Sequence, residues 1–128
     1  MTPALIAFWA ERHLCSLTTL RPDGSPHVVA VGATLDPDTR TARIITSGTS
    51  AKVRHLRRAN SRVAVCQVDG ARWSTLEGTA VILDDPWSIA DAERRYAARY
   101  RPPRPNPRRV VIAVTVTRIL ASKRLTDS

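Results

Sequence analysis

The segment best suited to chemistry is a glycine turn rich in hydroxyl groups, residues 46–52 with the sequence TSGTSAK. It joins the end of a predicted strand to the start of a predicted helix, which the Ser50 side chain is placed to cap. A helix N-terminus presents free backbone N–H groups and a favourable dipole, so this turn is suited to an anion. Lys52 lies in the first helical turn, where its charge opposes the dipole unless an anion lies between them. We therefore predict an anion site here; the alternative is a capped surface helix with solvated charges.

Patterns typical of covalent or metal-dependent catalysis are missing from the sequence. There is no phosphate loop, no His-Glu-x-x-His, no Cys-x-x-Cys and no Gly-x-Gly-x-x-Gly. His13, His27 and His55 fall on three different predicted elements, so we predict no metal site. Cys15 and Cys66 lie among apolar strand residues and are interpreted as core packing. No catalytic side chain can be named from the residues alone.

Two further side chains are candidates for contact with a flat ligand. His27 opens a predicted buried strand and could line a pocket; the alternative is a strand-end histidine at the surface. Trp73 opens another predicted strand, and its indole could stack on an aromatic ring. Packing in the core is the alternative for a strand tryptophan.

The charge balance predicts an anionic partner. The net charge is +9, and of the 20 basic residues all but Lys52 and Lys123 are arginine. No acidic residue occurs between Arg94 and Thr126. Such a field attracts nucleic acid, a phosphorylated cofactor or an acidic small molecule. The arginines of residues 94–109 lack the alternating aromatic residues of a single-strand binding platform, so we expect no nucleic-acid partner.

The elements that must position these residues are mostly strands. The 128 residues, of which 43% are hydrophobic and 24% charged, predict one domain spanning residues 1–128. Helices are predicted over residues 3–12, 51–59 and 87–100, and strands over residues 14–20, 26–34, 42–47, 62–68, 73–83 and 108–119. Four prolines keep residues 101–107 extended. Strands in this order, joined by short links, favour a mainly β fold in which a closed antiparallel barrel carries helices at its rim.

Neither a secretory signal nor a membrane span is predicted. Residues 1–10 lack a basic start and a cleavage site, and no apolar run approaches the ~20 residues that span a bilayer. Two cysteines without an export signal make no disulfide framework. We therefore expect a cytoplasmic protein that does not enter a membrane.

Several longer stretches resemble a known family. The order of elements resembles the split β-barrel of the FMN-binding, pyridoxamine-phosphate oxidase-like superfamily. Within it, the chain is most similar to the F420-binding branch that includes F420-dependent biliverdin reductases. The stretches that carry this resemblance are residues 11–14 (ERHL), 17–20 (LTTL), 25–32 (SPHVVAVG), 67–73 (QVDGARW), 99–101 (RYR) and 103–112 (PRPNPRRVVI).

The resemblance implies a homodimer with two cofactor sites at the subunit interface. The deazaflavin ring would lie along one strand, held largely by backbone groups, while the phosphate and oligoglutamate tail would meet the turn described above. Arginines of residues 101–108 would reach across the interface. The implied cofactor-binding residues are His27, Val28, Val29, Ala30 and Val31 for the ring, Ile45, Thr46, Ser47, Ser50, Ala51 and Lys52 around the turn, Gln67 and Trp73 at the ring side, and Arg104.

The activity that the resemblance implies is hydride transfer from reduced coenzyme F420 to a conjugated acceptor, with biliverdin, a tetrapyrrole, as the expected small-molecule substrate. The alternatives are an F420 reductase for another acceptor, and a non-catalytic carrier of F420, flavin or haem. FMN is the alternative cofactor. Flavin-binding oxidases of the superfamily usually carry Ser-Arg-Lys where this chain has residues 50–52 (SAK), and they carry a C-terminal arginine segment. Pyridoxamine-phosphate oxidation is therefore disfavoured.

Overall fold

The computed structural model describes residues 1–58 and 60–126, which fold into seven strands and four helices. The helices are α1 (Pro3–Ala10), α2 (Ala51–Arg58), α3 (Pro86–Arg99) and α4 (Lys123–Thr126). The strands are β1 (Cys15–Leu20), β2 (Pro26–Val31), β3 (Ala33–Asp36), β4 (Thr41–Ser47), β5 (Arg62–Asp69), β6 (Arg72–Leu83) and β7 (Arg109–Ala121).

All seven strands form one antiparallel sheet, in the order β2-β1-β5-β6-β7-β4-β3. The two outermost strands, β2 and β3, are consecutive in the chain and are separated only by Gly32. The sheet therefore has to curl until its two edges meet at this residue. Within the described residues no strand pairing joins β2 to β3. The mainly β split barrel is confirmed, whereas the closed barrel predicted from the strand order is wrong, because one seam stays open.

The strand predicted over residues 26–34 is divided at Gly32, which sequence periodicity missed. At this position a Cβ atom would lie 2.7 Å from Cε2 of Tyr96, so glycine allows the α3 ring to approach the backbone closely. The prediction that this strand is buried is also wrong for β2, whose side chains alternate between exposed and partly buried up to Val31. An edge strand with one uncovered face has this pattern.

Side-chain caps fix the starts of α1 and α3. The hydroxyl of Thr2 accepts a hydrogen bond from the Leu5 N–H, and the carboxylate of Asp85 accepts one from the Ser88 N–H. The α1 helix ends at Ala10, short of the predicted residue 12, while α4 was not predicted. The predicted end of α2 at residue 59 lies outside the described residues. No described helix has the length and apolar character needed to cross a membrane.

The core fills the inside of the curled sheet. Its largest side chains that are almost fully buried include Phe8, Leu17, Leu76 and Ile112. Cys15 is buried as predicted, but Cys66 is only half-buried, because strand alternation turns it to the outer face of the sheet.

Candidate functional site

A cavity of about 340 Å³ opens at the seam of the barrel. We call it the seam cavity, and it is lined by Ala30, Val31, Gly32, Ile45, Lys52, Tyr96, Arg101, Pro102, Pro103, Arg104 and Arg109. Five of the residues predicted to bind a cofactor are in this wall: Ala30, Val31, Ile45, Lys52 and Arg104. They come from β2, β4, α2 and the proline-rich segment, so the fold brings together residues that are far apart in sequence.

The open seam leaves one side of β2 without a strand partner. Its residues pair with β1 in a regular antiparallel register, from Pro26 opposite Leu20 to Val31 opposite Cys15. On the other side, no described strand pairs with β2. Backbone N–H and C=O groups on a free strand edge can bind the polar edge of a flat ligand. The end of this edge, Ala30 and Val31, lines the seam cavity.

The turn of residues 46–52 adjoins this cavity through Lys52. Ser50 occupies the cap position of α2, because its carbonyl accepts a hydrogen bond from the Arg54 N–H at 3.1 Å. Its hydroxyl accepts from Thr46 Oγ1 at 3.3 Å and from no described backbone N–H of α2, so the predicted side-chain cap is wrong. No described hydrogen bond is donated by the backbone N–H groups of residues 51–53. The helix start therefore keeps free donors next to a lysine.

The other two hydroxyl groups of the turn, those of Ser47 and Thr49, bond to each other. Ser47 Oγ lies 3.0 Å from Thr49 Oγ1, and the Gly48 N–H donates to the Arg108 carbonyl at 2.8 Å. The second contact joins the turn to the segment that carries Arg104. The two walls of the seam cavity are thus connected by a backbone hydrogen bond.

Three cations in the wall of the seam cavity have no acidic partner. Within the described residues, Lys52, Arg101 and Arg104 form no ion pair, and their side chains donate no hydrogen bond to the protein. Burial lowers the pKa of the Lys52 ammonium, because nothing in its surroundings replaces the lost water. Such a cluster is suited to an anionic ligand.

The fourth cation of the wall, Arg109, has a structural role. Its Nη1 donates to Glu93 Oε2 at 2.5 Å, and its Nη2 donates to the Arg104 carbonyl at 2.6 Å. It ties the proline-rich segment to α3, which keeps the Arg104 backbone in place beside the cavity.

The remaining predicted residues of β2 extend away from the seam cavity. The His27 ring lies edge-on to the His55 ring of α2, with 4.7 Å between centroids, and its buried Nδ1 has no hydrogen-bond partner among the described residues. Val28 is exposed on the outer face, and Val29 is partly buried against the core. His13 lies elsewhere, beside Glu11, so the three histidines do not come together at one site.

Gln67 and Trp73 lie away from the wall of the seam cavity. Gln67 is only 1% exposed, and its Nε2 donates to the Phe8 carbonyl at 2.7 Å while its Oε1 accepts from Arg99. Trp73 is 38% exposed and is the second residue of β6, opposite Val68. The structure therefore places the first in the core and the second on the sheet surface.

Sequence reasoning named neither Tyr96 nor Gly32 as a site residue. Tyr96 lines the seam cavity, and its ring lies against Gly32. The signal that could have found both is the glycine inside a β-branched run, since such a residue often marks the close approach of another group.

One group of potential metal ligands occurs in the described part of the chain: Glu11, His13 and Asp69, whose ligand atoms lie within 4.8 Å of one another. Arg72 donates to both carboxylates of this group. The Arg72 guanidinium already supplies the positive charge that a metal ion would bring to these carboxylates. We therefore interpret the three residues and Arg72 as an ion-pair cluster.

Known proteins similar to this chain share its fold over nearly its full length. A conserved hypothetical protein from Mycobacterium tuberculosis superposes with a TM-score of 0.82 at 23% identity, covering 100% of this chain and 89% of that one. An F420 reductase superposes with a TM-score of 0.74 at 26% identity, covering 89% of this chain and 94% of that one.

Sequence similarity extends equally far. An F420H(2)-dependent biliverdin reductase from Mycobacterium tuberculosis is 57% identical over 122 residues, which are 95% of this chain and 88% of that protein. The sequence pattern of the pyridoxamine 5'-phosphate oxidase family matches residues 1–123. The chain therefore belongs to the pyridoxamine 5'-phosphate oxidase family.

Proposed function

We propose that the protein is an F420-dependent oxidoreductase that transfers a hydride from reduced coenzyme F420 to a conjugated acceptor, biliverdin, and so forms bilirubin. The observation that carries the proposal is the seam cavity, where a free strand edge lies beside three cations that have no acidic partner in the described part of the chain. The biliverdin reductase that is 57% identical over 95% of this chain supports both the cofactor and the acceptor.

The charges of the seam cavity fit this cofactor. Coenzyme F420 carries a phosphate and an oligoglutamate tail, which are anions in series. A half-buried ammonium without a partner, like that of Lys52, is costly, and an anion beside it removes much of that cost. Guanidinium groups such as those of Arg101 and Arg104 bind phosphate or carboxylate in a bidentate manner. Lys52 and Arg104 lie on different walls of the cavity, which suits anions in series better than the single phosphate of FMN, so F420 is favoured over FMN.

The residues that would hold the cofactor divide between ring and tail. Along β2, residues 27–31 would hold the ring through the free backbone edge, with Ile45 as the facing apolar side chain. Lys52 and Arg104 would bind the anionic part, together with the adjoining residues Thr46, Ser47, Ser50 and Ala51. Gln67 would act indirectly, because its amide joins α1 to Arg99.

When bound, the reduced deazaflavin supplies the hydride. The chain itself orients the ring against β2, neutralises the tail, and excludes water with Val31 and Ile45. Among the described residues that line the seam cavity there is no carboxylate and no histidine. The proton that completes the reduction is therefore assigned to water, and the protein contributes binding and orientation in place of acid–base catalysis.

We also propose that the protein is a homodimer, formed through the outer face of the sheet. This face exposes the large apolar side chains of Val28, Val68, Trp73, Val81 and Leu120. Val68 and Trp73 lie opposite each other on β5 and β6, and a groove of about 620 Å³ crosses the same face. Exposed apolar side chains on the uncovered face of a sheet are typical of an interface between subunits.

Light scattering after size-exclusion chromatography tests the dimer. We expect a dimer for the wild-type protein and a monomer for Trp73→Glu. The matched control is Trp87→Glu on α3, which replaces an indole that is 74% exposed on another element and should remain dimeric. A wild-type monomer, or equal dissociation of both variants, would contradict this interface.

We further propose a cytoplasmic location. Cys15 and Cys66 are free thiols, the form that cysteine keeps in a reducing compartment.

The proposed activity is tested by mixing the protein with reduced F420 and biliverdin. We expect the absorbance of oxidised F420 to reappear as that of biliverdin disappears, at rates proportional to enzyme concentration. Tight F420 binding without turnover would contradict the reductase and favour a carrier or another acceptor. No F420 binding would contradict the cofactor assignment itself.

A further inference from the structure

A second cavity, of about 390 Å³, lies next to the seam cavity. It is lined by Arg12, Leu14, Tyr96, Tyr100 and Arg101. Two of these residues, Tyr96 and Arg101, also line the seam cavity. The two cavities are therefore adjacent compartments on either side of one tyrosine and one arginine.

The second cavity carries two guanidinium groups that no acid neutralises. Within the described part of the chain, neither Arg12 nor Arg101 forms an ion pair or donates a side-chain hydrogen bond. The acid next to Arg12 in sequence, Glu11, is bound instead by both Nη atoms of Arg72 at 2.9 Å. No carboxylate of the described residues lines this cavity, so a ligand is the expected source of the acidic groups that suit it.

Its remaining walls are aromatic and apolar. Tyr96 and Tyr100 lie with their ring centroids 4.9 Å apart, and Leu14 is 72% exposed. The Tyr100 hydroxyl donates to the His13 carbonyl at 2.7 Å, which fixes its ring. The Tyr96 hydroxyl has no hydrogen-bond partner among the described residues. Such walls suit a flat conjugated molecule that carries acidic groups.

We propose that Arg12, Leu14, Tyr96 and Arg101 form an acceptor subsite, in which the two guanidinium groups bind carboxylates of a flat conjugated acceptor. This inference rests on the proposed function, because it places the acceptor beside the cofactor in the seam cavity. Carboxylates are also present on the cofactor tail. Arg12 lines only the second cavity and Arg104 only the seam cavity, so substitutions at these two positions separate the two ligands.

The test compares biliverdin with its dimethyl ester, which keeps the conjugated system but lacks the carboxylate charges. Equilibrium binding of both compounds is measured with and without oxidised F420, and F420 binding is measured separately. We expect Arg12→Gln to weaken biliverdin binding about tenfold, the effect of losing a hydrogen bond to a charged group, and to leave the diester and F420 unaffected. Arg104→Gln should weaken F420 binding and leave the biliverdin-to-diester ratio unchanged.

The matched control is Arg57→Gln, an equal change of charge at an exposed position of α2. It should change neither ligand's affinity by more than twofold. The subsite would be overturned if Arg12→Gln weakened the binding of biliverdin and of the diester equally, or weakened neither. It would also be overturned if Arg12→Gln weakened only F420 binding, which would assign Arg12 to the cofactor tail. Wild-type protein that binds F420 but not biliverdin would also overturn it and leave the cofactor site standing. Failure to bind F420 counts against the proposed function, while the comparison without F420 still tests the subsite.

Discussion

Arginine serves opposite purposes in two regions of this molecule. At the junction of α1 with α3, Arg99 donates to the Glu11 carbonyl at 2.9 Å, to the Ala33 carbonyl at 2.6 Å and to the side chain of Gln67. In the same region Arg72 binds the Glu11 carboxylate through two hydrogen bonds. Around the seam cavity, the side chains of Arg101 and Arg104 have no such partners among the described residues.

This difference separates stability from binding. An arginine whose donors are all used connects elements, and its loss leaves buried acceptors without partners. An arginine whose donors are free contributes little to the fold, yet it is available to a ligand. The net charge of +9 is therefore a poor guide by itself, because only the partners of each cation show which purpose it serves.

The largest effect is expected from replacing an engaged arginine. Arg99→Leu removes the donor to the Glu11 carbonyl and to Gln67, so it should lower the free energy of unfolding by about 3 kcal/mol. Arg104→Leu, the matched control, should change it by less than about 0.5 kcal/mol. Urea unfolding followed by circular dichroism measures both. Equal losses would erase the distinction between the two regions.

A smaller effect, on binding alone, is expected at the seam cavity. Arg104→Gln should weaken F420 binding about tenfold, because one charge-assisted contact is lost. Its urea midpoint should match that of the wild-type protein. Fluorescence titration of F420 checks the first expectation, and a variant that loses stability but keeps its affinity would reverse the assignment.

A modest pH dependence is expected at the α1–α3 junction. Hydrogen bonds from Arg72 first, and from His13 second, lower the pKa of Glu11 from 4.5 to about 2. Because the folded pKa is depressed, this stabilisation is fully present above pH 4.5 and is lost as the pH falls towards 2. Glu11 is partly exposed, so solvent screening limits the effect to about 1 kcal/mol or less.

The difference in unfolding free energy between wild-type protein and Glu11→Gln, measured from pH 6 downwards, isolates this contribution from the other carboxylates. We expect the difference to shrink through this window. A difference that is independent of pH would show that the Glu11 carboxylate gains nothing from Arg72.

The smallest effect is expected for Arg57→Gln, on an exposed position of α2. It should leave both F420 affinity and the free energy of unfolding unchanged within error. A clear loss of F420 affinity would indicate that overall charge, and not the free cations of the seam cavity, attracts the cofactor.

What the sequence could predict was local. Residues 46–52 carry their own signal, because the hydroxyl groups, the glycine and the helix start are adjacent in the chain. The seam could not be found in this way, since it depends on Gly32 ending β2 and on strand pairings that join distant residues. The resemblance supplied five residues of the cavity wall, including Ile45 and Arg104, yet Gln67, which it placed at the ring, lies in the core.

The fold was predictable to the level of class, and its closure was not. Strand order and turn residues indicated an antiparallel barrel. Whether the two outermost strands form hydrogen bonds with each other depends on the curl of the whole sheet. No short segment of the sequence determines that curl. The Ser50 side-chain cap also failed, since the Ser50 hydroxyl accepts from Thr46 and from no described backbone N–H of α2.

The central claim is that the free cations of the seam cavity hold the anionic part of F420. It is tested most directly by titrating wild-type protein and Lys52→Met with F420 and with the deazaflavin nucleoside that lacks the phosphate and the tail. We predict that the wild-type protein binds F420 at least tenfold more tightly than the nucleoside, and that Lys52→Met loses most of this preference without a loss of stability. Equal affinity of the wild-type protein for both ligands, or an unchanged preference in the variant, would contradict the account.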